Sequence, residues 1–210
     1  MNISNVLNLL LALALVLLSV KMVRTEPQQT NHTDMDNSQV VMENLLTRVS
    51  VRSYTDQPVE EKHVREILKA GMAAPTAGNK QPWKFIVVND PVILRELGDV
   101  LPYAKMTASA PVAIVACGDL NNVFDGEGRE YWVQDLSAAT ENMLLAAHAM
   151  GLGAVWTGVY PVSDRVETVQ RVLNLPREIV PLNVIPVGHP KESMPPKDKW
   201  KDEHIRYNQW

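Results

Sequence analysis

The pattern of apolar and polar positions divides the chain into three segments. Residues 3–20 are mostly Leu, Val and Ala, interrupted by Ser4, Asn5, Asn8 and Ser19. A helix of this length would span roughly 27 Å at about 1.5 Å per residue, close to a bilayer core of about 30 Å. Residues 25–39 are polar and poor in bulky apolar side chains, which is typical of a linker. The pattern therefore predicts a membrane anchor or signal segment over residues 1–24, a flexible linker over 25–39 and one folded domain over 40–210.

The charges around the apolar segment bear on whether it is cleaved and how it is oriented in the membrane. No Lys or Arg precedes it, and the first basic residues, Lys21 and Arg24, follow it. Because no small-x-small cleavage motif ends the segment, an uncleaved single helix that anchors the protein in the membrane is favoured, and export after cleavage is the alternative. The two basic residues favour a cytoplasmic domain by the positive-inside rule, but two charges leave the side of the membrane open.

Helical and strand patterns alternate through the predicted domain. Residues 111–117 form an apolar run without alternation, which predicts a strand in a sheet that is covered on both faces. Asp90-Pro91 is a helix start, with an N-cap carboxylate before a proline at the first helical position. Pro186, inside the last predicted strand, favours an edge strand or a bulge.

These elements predict a sandwich with a mixed central sheet flanked by helices. The predicted helices cover residues 40–48, a stretch that begins within 56–61 and ends near 70, and residues 91–101, 131–150 and 164–173. The predicted strands cover residues 84–88, 111–117, 153–157 and 182–188.

Composition and charge narrow the possible functions. The 210 residues are 46% hydrophobic and 21% charged, which is ordinary for one globular domain, and the formal net charge is -4. A net negative chain is not expected to bind nucleic acid, whose backbone attracts a basic face. The single cysteine, Cys117, excludes a disulfide or a thiolate metal site, and the five histidines lack the spacing of zinc ligands. Any basic cluster is therefore expected to serve a small anion.

The segment Arg48-Val49-Ser50-Val51-Arg52 alternates polar and apolar side chains. In an extended backbone this alternation would place Arg48, Ser50 and Arg52 on one side. Two guanidinium groups and a hydroxyl match the oxygens of a phosphomonoester, so the segment is a candidate anion clamp. A solvated basic patch is the alternative interpretation of the same residues.

A second candidate lies in residues 73–83, Ala-Ala-Pro-Thr-Ala-Gly-Asn-Lys-Gln-Pro-Trp. Turn-forming and small polar residues here separate a predicted helix from a predicted strand. Amide and hydroxyl groups held in this way could hydrogen-bond a planar polar ligand, or the segment is an ordinary connection. The chain has no GxGxxG motif and no P-loop, so a phosphate would not be bound by a glycine-rich helix start.

These segments, in this order and spacing, resemble the FMN-dependent nitroreductase family. The resemblance extends from about residue 40 to the C-terminus. It implies an α+β sandwich that forms an intertwined homodimer with two FMN sites at the subunit interface. The motifs that carry it are Arg48-x-Ser50-x-Arg52, the loop from Ala74-Pro75-Thr76 through Asn79 to Gln81-Pro82-Trp83, the segment from Gly151-Leu152-Gly153 to Gly158, and the late Lys197-x-Lys199.

The resemblance also implies roles for individual residues. Two positions depart from the family pattern, since Thr76-Ala77 stands where two serines are common and Lys199 where arginine is frequent. The implied FMN-binding residues are Arg48, Ser50 and Arg52 at the phosphate and the flavin, Lys197 and Lys199 at the phosphate, Pro75, Thr76, Ala77 and Asn79 in a loop that lies against the ring from the partner subunit, Thr157, Gly158, Val159 and Tyr160 in a turn on the flavin N5 side, and Lys105, which is cationic in some members.

The implied activity is an oxidoreduction with a ping-pong mechanism. NAD(P)H would reduce FMN and leave, and a small electron acceptor such as a nitroaromatic or a quinone would take its place. A cation near the N1/C2 carbonyl end of the ring, such as Arg52 or Lys105, would stabilise the negative charge that a hydride brings. The chemistry needs no catalytic side chain and no metal.

Two alternative functions stay open. One is a membrane-tethered reductive dehalogenase resembling iodotyrosine deiodinase, whose halotyrosine-binding lid is not recognisable between Gly118 and Tyr131. The other is a flavin-binding sensor without turnover.

Overall fold

The structure of the protein is a computed structural model that describes Asn2 and residues 36–210. Apart from Asn2, the predicted membrane segment over 1–24 lies outside the described residues, and so does most of the predicted linker over 25–39. Both therefore stay predictions. No helix within Asn2 and residues 36–210 is long and apolar enough to cross a membrane.

Helices and strands alternate along the described residues, joined by short 3-10 turns. The helices are α1 Asn37–Thr47, α2 Glu61–Met72, α3 Pro91–Val100, α4 Tyr131–Ala149 and α5 Ser163–Val172. The strands are β1 Trp83–Val88, β2 Val112–Asp119, β3 Gly153–Ala154, β4 Thr157–Gly158 and β5 Ile179–Gly188.

Two helix starts show what the sequence pattern did and did not predict. α3 begins where Asp90-Pro91 indicates, because the Asp90 carboxylate accepts hydrogen bonds from the N–H groups of Val92 and Ile93 and so caps the helix. α1 begins at Asn37, three residues before the predicted position. The last residues of the predicted linker therefore belong to the first turn of α1.

The sheet is antiparallel, and the prediction of a mixed sheet was wrong. The strand order is β1-β2-β5-β3, β4 also pairs with β5, and each of these pairs is antiparallel. Within the described residues, parallel pairing occurs at the isolated bridge between Ser50 and Ala154. The prediction failed because a helix can join strands of either relative direction, so alternation of helices and strands does not fix the direction.

Pro186 lies in an interior strand, whereas an edge strand or a bulge was predicted. β5 has β2 on one side and β3 and β4 on the other, and the irregularity of its ladder with β2 falls between Ala116 and Cys117. The Pro186 carbonyl accepts a hydrogen bond from the Tyr54 hydroxyl at 3.2 Å. Because the N–H and C=O of one residue in an antiparallel strand point to the same side, the N–H that proline lacks would face the gap between β3 and β4.

The predicted strand at 153–157 is two short strands with a break between them. β3 pairs with the end of β5, and β4 pairs with its middle. Val155 and Trp156 lie between the two strands and outside the ladder, with Trp156 36% exposed. This break brings a large aromatic side chain to the surface beside β4.

The core lies on both faces of the sheet, as the apolar pattern of β2 predicts. Alternate residues of β2 belong to two different clusters, because successive side chains of a strand point to opposite faces. α2 and α4 complete the first cluster, and α3 and α5 complete the second. Cys117 lies in the second cluster, where burial raises the pKa of its thiol to about 12, so it is a core residue. Antiparallel pairing with β5 holds β3 and β4 at one side of this packed sheet.

Candidate functional site

A pocket of about 440 Å³ lies beside the break between β3 and β4. Its wall combines one cation with aromatic and apolar side chains. No carboxylate, thiol or imidazole is part of this lining. The lining residues are Arg52, Tyr103, Met106, Val155, Trp156, Thr157 and Gly158.

Arg52 reaches the pocket because its segment is fixed to the sheet edge. The N–H of Val51 donates to the carbonyl of Ala154 in β3 at 3.1 Å. The approach depends on Gly153, since a Cβ there would lie 2.6 Å from the Val51 side chain. The Tyr54 hydroxyl donates to the Val51 carbonyl at 2.8 Å and holds the far side of the same segment. The buried Val51 is thus fixed on both sides, and it positions the guanidinium of the next residue, Arg52.

Thr157 and Gly158 form the part of the wall that belongs to the sheet. The Thr157 side chain is buried, and its hydroxyl donates to the carbonyl of Val184 in β5. Gly158 is exposed, and an added Cβ would meet nothing within 4 Å. The pocket therefore borders open backbone at Gly158, where a flat ligand can approach closely.

Val159 and Tyr160, the other two residues of the predicted turn, face other parts of the protein. Their N–H groups both donate to the Leu182 carbonyl, at 3.0 and 3.1 Å, and Val159 is fully buried. The Tyr160 ring packs edge-on against Trp132, and its hydroxyl donates to Glu130 at 2.8 Å. That hydrogen bond raises the pKa of Tyr160. Of the four predicted turn residues, the structure brings Thr157 and Gly158 to the pocket.

The two arginines of the predicted clamp have different neighbours. Arg48 is largely buried, and its Nε donates to Oε1 of Glu141 in α4 at 2.9 Å. Arg52 is exposed, donates to the Ser50 carbonyl at 3.2 Å and lines the pocket. Ser50 itself is fixed through its backbone bridge to β3. Val49 and Val51 pack in one apolar cluster, as the alternation of polar and apolar residues predicts. The two guanidinium groups, however, do not line the same pocket.

His148 of α4 lies beside Arg48. Nε2 of His148 and the hydroxyl of Thr47 are hydrogen-bonded at 2.9 Å. Burial and the positive charge of Arg48 hold the pKa of His148 below its usual value. The pKa of His148 is therefore a reporter of the charge around Arg48.

The loop of residues 75–79 is held by hydrogen bonds to α4 and to Gln81, and it is not part of the pocket lining. The N–H of Ala77 donates to the buried Asp135 of α4 at 2.8 Å. The Thr76 hydroxyl accepts from the N–H of Gln81, and the Gln81 side chain donates to Asn79. Asn79 and Gln81 both adopt left-handed backbone conformations. Pro75 and Asn79 are exposed, so the loop presents its outer side to solvent.

The three predicted lysines also lie outside the pocket lining. Lys105 is exposed and begins the 3-10 turn Lys105–Ser109, directly before Met106, which does line the pocket. Lys197 and Lys199 are exposed in the irregular C-terminal tail.

Sequence reasoning missed four residues of the wall: Tyr103, Met106, Val155 and Trp156. Tyr103 and Met106 lie close in sequence to Lys105, which was selected because the resemblance implies a cation near this position. Trp156 was assigned to one continuous strand over residues 153–157, so it was not considered as a residue of a pocket wall. The sequence carries no local signal for the break, which depends on how β3 and β4 each pair with β5.

Comparisons with known proteins agree with this architecture. The model of the Nitroreductase family matches residues 45–101 and 99–189. A proposed NADH dehydrogenase/NAD(P)H nitroreductase of Methanothermobacter thermautotrophicus is 43% identical over 182 residues, which cover 86% of this chain and 94% of that protein.

Two solved structures are similar in sequence and in fold. A proposed NADH dehydrogenase/NAD(P)H nitroreductase of Parabacteroides distasonis is 45% identical, with a TM-score of 0.78 over 83% of this chain and 100% of that one. A proposed nitroreductase of Desulfovibrio desulfuricans, solved in complex with FMN, is 30% identical, with a TM-score of 0.70 over 84% of this chain and 99% of that one. The predicted α+β nitroreductase-like fold is thereby confirmed. The chain belongs to the nitroreductase family.

Proposed function

We propose that the protein is an FMN-dependent oxidoreductase that takes electrons from NAD(P)H and passes them to a small acceptor such as a nitroaromatic or a quinone. The observation that carries the proposal is the pocket beside β4, whose wall joins the Arg52 guanidinium to aromatic and apolar side chains and to the open backbone of Gly158. The relative named for NAD(P)H and the relative solved with FMN support the choice of reductant and cofactor.

The pocket fits a flavin ring in size and in chemistry. Its volume of about 440 Å³ lies within the range of about 300–1,000 Å³ that is usual for small-molecule sites. Met106 and Trp156 offer apolar surface to the faces of a ring, and Gly158 lets a ring approach the backbone. Arg52 offers a donor and a positive charge to the polar edge of the ring.

FMN supplies the hydride-accepting ring, and the chain supplies binding, orientation and charge. Arg52 lines the pocket beside apolar groups, and a ring bound against this wall would exclude water and so reduce the screening of the guanidinium charge. Arg48 serves the phosphate: its ion pair with Glu141 uses Nε, which leaves the two terminal nitrogens for phosphate oxygens. Lys197 and Lys199 add positive charge from the tail.

Reductant and acceptor use the same face of the bound flavin in turn, which gives ping-pong kinetics. Both are planar at their reacting ends, so either one can stack on the exposed face of the ring. The side chains of the wall exclude water and orient the ligand; they form no covalent bond with it.

The active unit is a homodimer. α1 has no buried residue, and the C-terminal tail exposes three large aromatic side chains. Such apolar surface is typical of an interface. A second copy of the chain is the proposed partner because loop 75–79 and Lys197 and Lys199 do not line the pocket of their own chain. The exposed apolar residues are Val40, Val41, Met42, Leu45 and Leu46 in α1 and Trp200, Tyr207 and Trp210 in the tail.

Residues 1–24 tether this domain to a membrane. The support is the sequence alone, an apolar run of residues 3–20 followed by Lys21 and Arg24. Export after cleavage is the alternative to this anchor.

Anaerobic spectroscopy of the full-length protein in mild detergent tests the proposed function. NADH or NADPH is expected to bleach the absorbance of the bound flavin, and a quinone or a nitrofuran is expected to restore it. Bound flavin that stays oxidised with both nucleotides would identify a sensor and contradict the proposal. Protein that neither retains FMN nor binds added FMN would contradict the cofactor assignment. Preferential turnover of a halotyrosine would favour the dehalogenase alternative.

A further inference from the structure

A second, smaller cavity adjoins the flavin pocket. Its volume is about 50 Å³, and it shares Tyr103, Thr157 and Gly158 with the larger pocket. Its remaining lining includes Arg165 from the first turn of α5. A common wall therefore has one cation at each end, Arg52 in the flavin pocket and Arg165 in the smaller cavity.

Arg165 is oriented by two contacts at this place. Its Nη1 donates to the Gly158 carbonyl at 3.4 Å, and its guanidinium lies over the Tyr103 ring, 5.6 Å from the centroid. Tyr103 is 77% exposed, so the pair lies at the mouth of the pocket rather than in the core. Within residues 36–210, no carboxylate forms an ion pair with Arg165. Its charge is therefore available to a ligand.

Arg171 on the same helix shows the contrast. Arg171 is exposed, its Nη2 donates to the hydroxyl of Thr168 in the same helix, and it belongs to neither cavity. These surroundings are typical of a surface arginine that contacts only solvent and its own helix. Arg165 instead donates to the backbone of Gly158, a residue of the pocket wall.

The ligand for Arg165 must be an anion that visits the pocket mouth. The phosphate of FMN is assigned to Arg48 and the tail lysines, and nitroaromatic and quinone acceptors are largely uncharged. The nicotinamide dinucleotide carries a diphosphate some distance from its reacting ring, and arginine forks match phosphate oxygens. We infer that Arg165, held by Tyr103 and the Gly158 carbonyl, is the anion-binding residue for the diphosphate of the reductant. This inference rests on the proposed function.

Equilibrium binding of the oxidised nucleotides tests the inference without turnover. The FMN-loaded, full-length protein is titrated with NAD+ and with NADP+ by calorimetry at two salt concentrations. Arg165→Ala and Arg165→Gln are each expected to raise the Kd about fivefold, as for the loss of one partly exposed charge contact. Both variants are also expected to reduce the dependence of the Kd on salt. Arg165→Lys, which keeps the charge without the fork, is expected to lie between them and the wild type.

Arg171→Ala is the matched control and is expected to leave the nucleotide Kd unchanged. FMN affinity is expected to be the same in all of these variants, because Arg165 serves the reductant and not the cofactor. Equal nucleotide Kd values and equal salt dependence in wild type, Arg165→Ala and Arg165→Gln would overturn the inference, while reduction of the wild type by NAD(P)H would still uphold the proposed function. An equal loss in Arg171→Ala would also overturn it, because it would point to a general charge effect of α5.

Discussion

The pocket wall and loop 75–79 are both held by hydrogen bonds to the body of the domain, but only the wall lines the pocket. The wall is fixed by backbone bonds of Val51 and by the side-chain bond of Thr157 to β5. The loop is fixed by the bond from Ala77 to Asp135 and by a hydrogen-bonded turn around Asn79. The pocket nevertheless has no lining residue from the loop of its own chain. In the proposed homodimer, the two regions are half-sites that a second copy of the chain brings together.

The largest expected effect comes from disturbing how the wall is attached to the sheet. Gly153→Ala would place a Cβ 2.6 Å from Val51, and overpacking at such a contact costs about 1–3 kcal/mol of the free energy of unfolding. We expect a loss of about 3 kcal/mol by denaturant titration, together with loss of bound FMN, because the same segment carries Arg52.

Gly158→Ala is the matched control for Gly153→Ala. An added Cβ at Gly158 meets open space, so its effect on the free energy of unfolding is expected to stay within about 0.5 kcal/mol. Its FMN affinity is expected to fall, since the methyl group would occupy room beside the ring. Equal FMN affinity in wild type and Gly158→Ala would contradict the placement of the flavin against this wall.

The next effect concerns the phosphate end. Arg48→Ala and Lys199→Ala are both expected to weaken FMN retention. The larger loss is expected for the partly buried Arg48, where the free energy of FMN binding should fall by about 1.5–3 kcal/mol, as is usual for a hydrogen bond to a charged group. Lys199→Ala, at an exposed position, is expected to cost about 0.2–1 kcal/mol. Fluorescence titration with FMN measures both.

Riboflavin separates the phosphate contacts from the ring contacts. It lacks the phosphate, so its affinity is expected to be the same in wild type, Arg48→Ala and Lys199→Ala. If riboflavin and FMN lose affinity in equal proportion, the two residues do not bind the phosphate.

The smallest effect is a change in pH dependence at His148. Because its pKa is lowered in the folded protein, the native state binds fewer protons than the unfolded state between the lowered pKa and the usual value of about 6.5. Its contribution to stability is therefore complete above about pH 6.5 and declines as the pH falls through this window. His148→Gln is expected to remove this part of the pH dependence in denaturant titrations, because glutamine can still bond to Thr47 and does not titrate.

The same histidine can report on the ligand. A phosphate bound to Arg48 adds negative charge nearby and is expected to raise the pKa of His148, as measured by NMR titration with FMN. Riboflavin is the control and is expected to leave this pKa unchanged. A pKa of His148 that FMN does not move would place the phosphate away from Arg48.

Much of the fold could be predicted because its signals are local. The carboxylate of Asp90 and the ring of Pro91 start α3 through contacts within one turn, and the apolar run of β2 predicts burial on both faces. Strand direction could not be predicted in this way, because it depends on pairing between residues far apart in sequence. The break at Val155 and Trp156 was missed for the same reason, since it depends on how β3 and β4 each pair with β5.

The motif residues of the candidate site could be predicted from the sequence, but the tertiary contacts that place them could not. Arginine, serine and glycine at the motif positions indicate a phosphate and a close backbone approach. The pairing of Arg48 with Glu141, 93 residues later, depends on the packing of α4 and has no signal in the motif. Tyr103 and Trp156 line the pocket through tertiary structure alone.

The most direct test of the central claim is a subunit-mixing measurement with Arg52→Ala and Asn79→Ala. Each variant carries one defect at every site of its own homodimer, Arg52→Ala in flavin binding and Asn79→Ala in flavin reactivity. The two chains are co-expressed with different tags, the mixed dimer is isolated, and the fast phase of anaerobic flavin reduction by NAD(P)H is recorded. If loop 75–79 acts on the pocket of the other chain, one site of the mixed dimer is intact, and a fast phase of about half the wild-type amplitude is expected. A mixed dimer with no fast phase, like its two parents, would contradict the account.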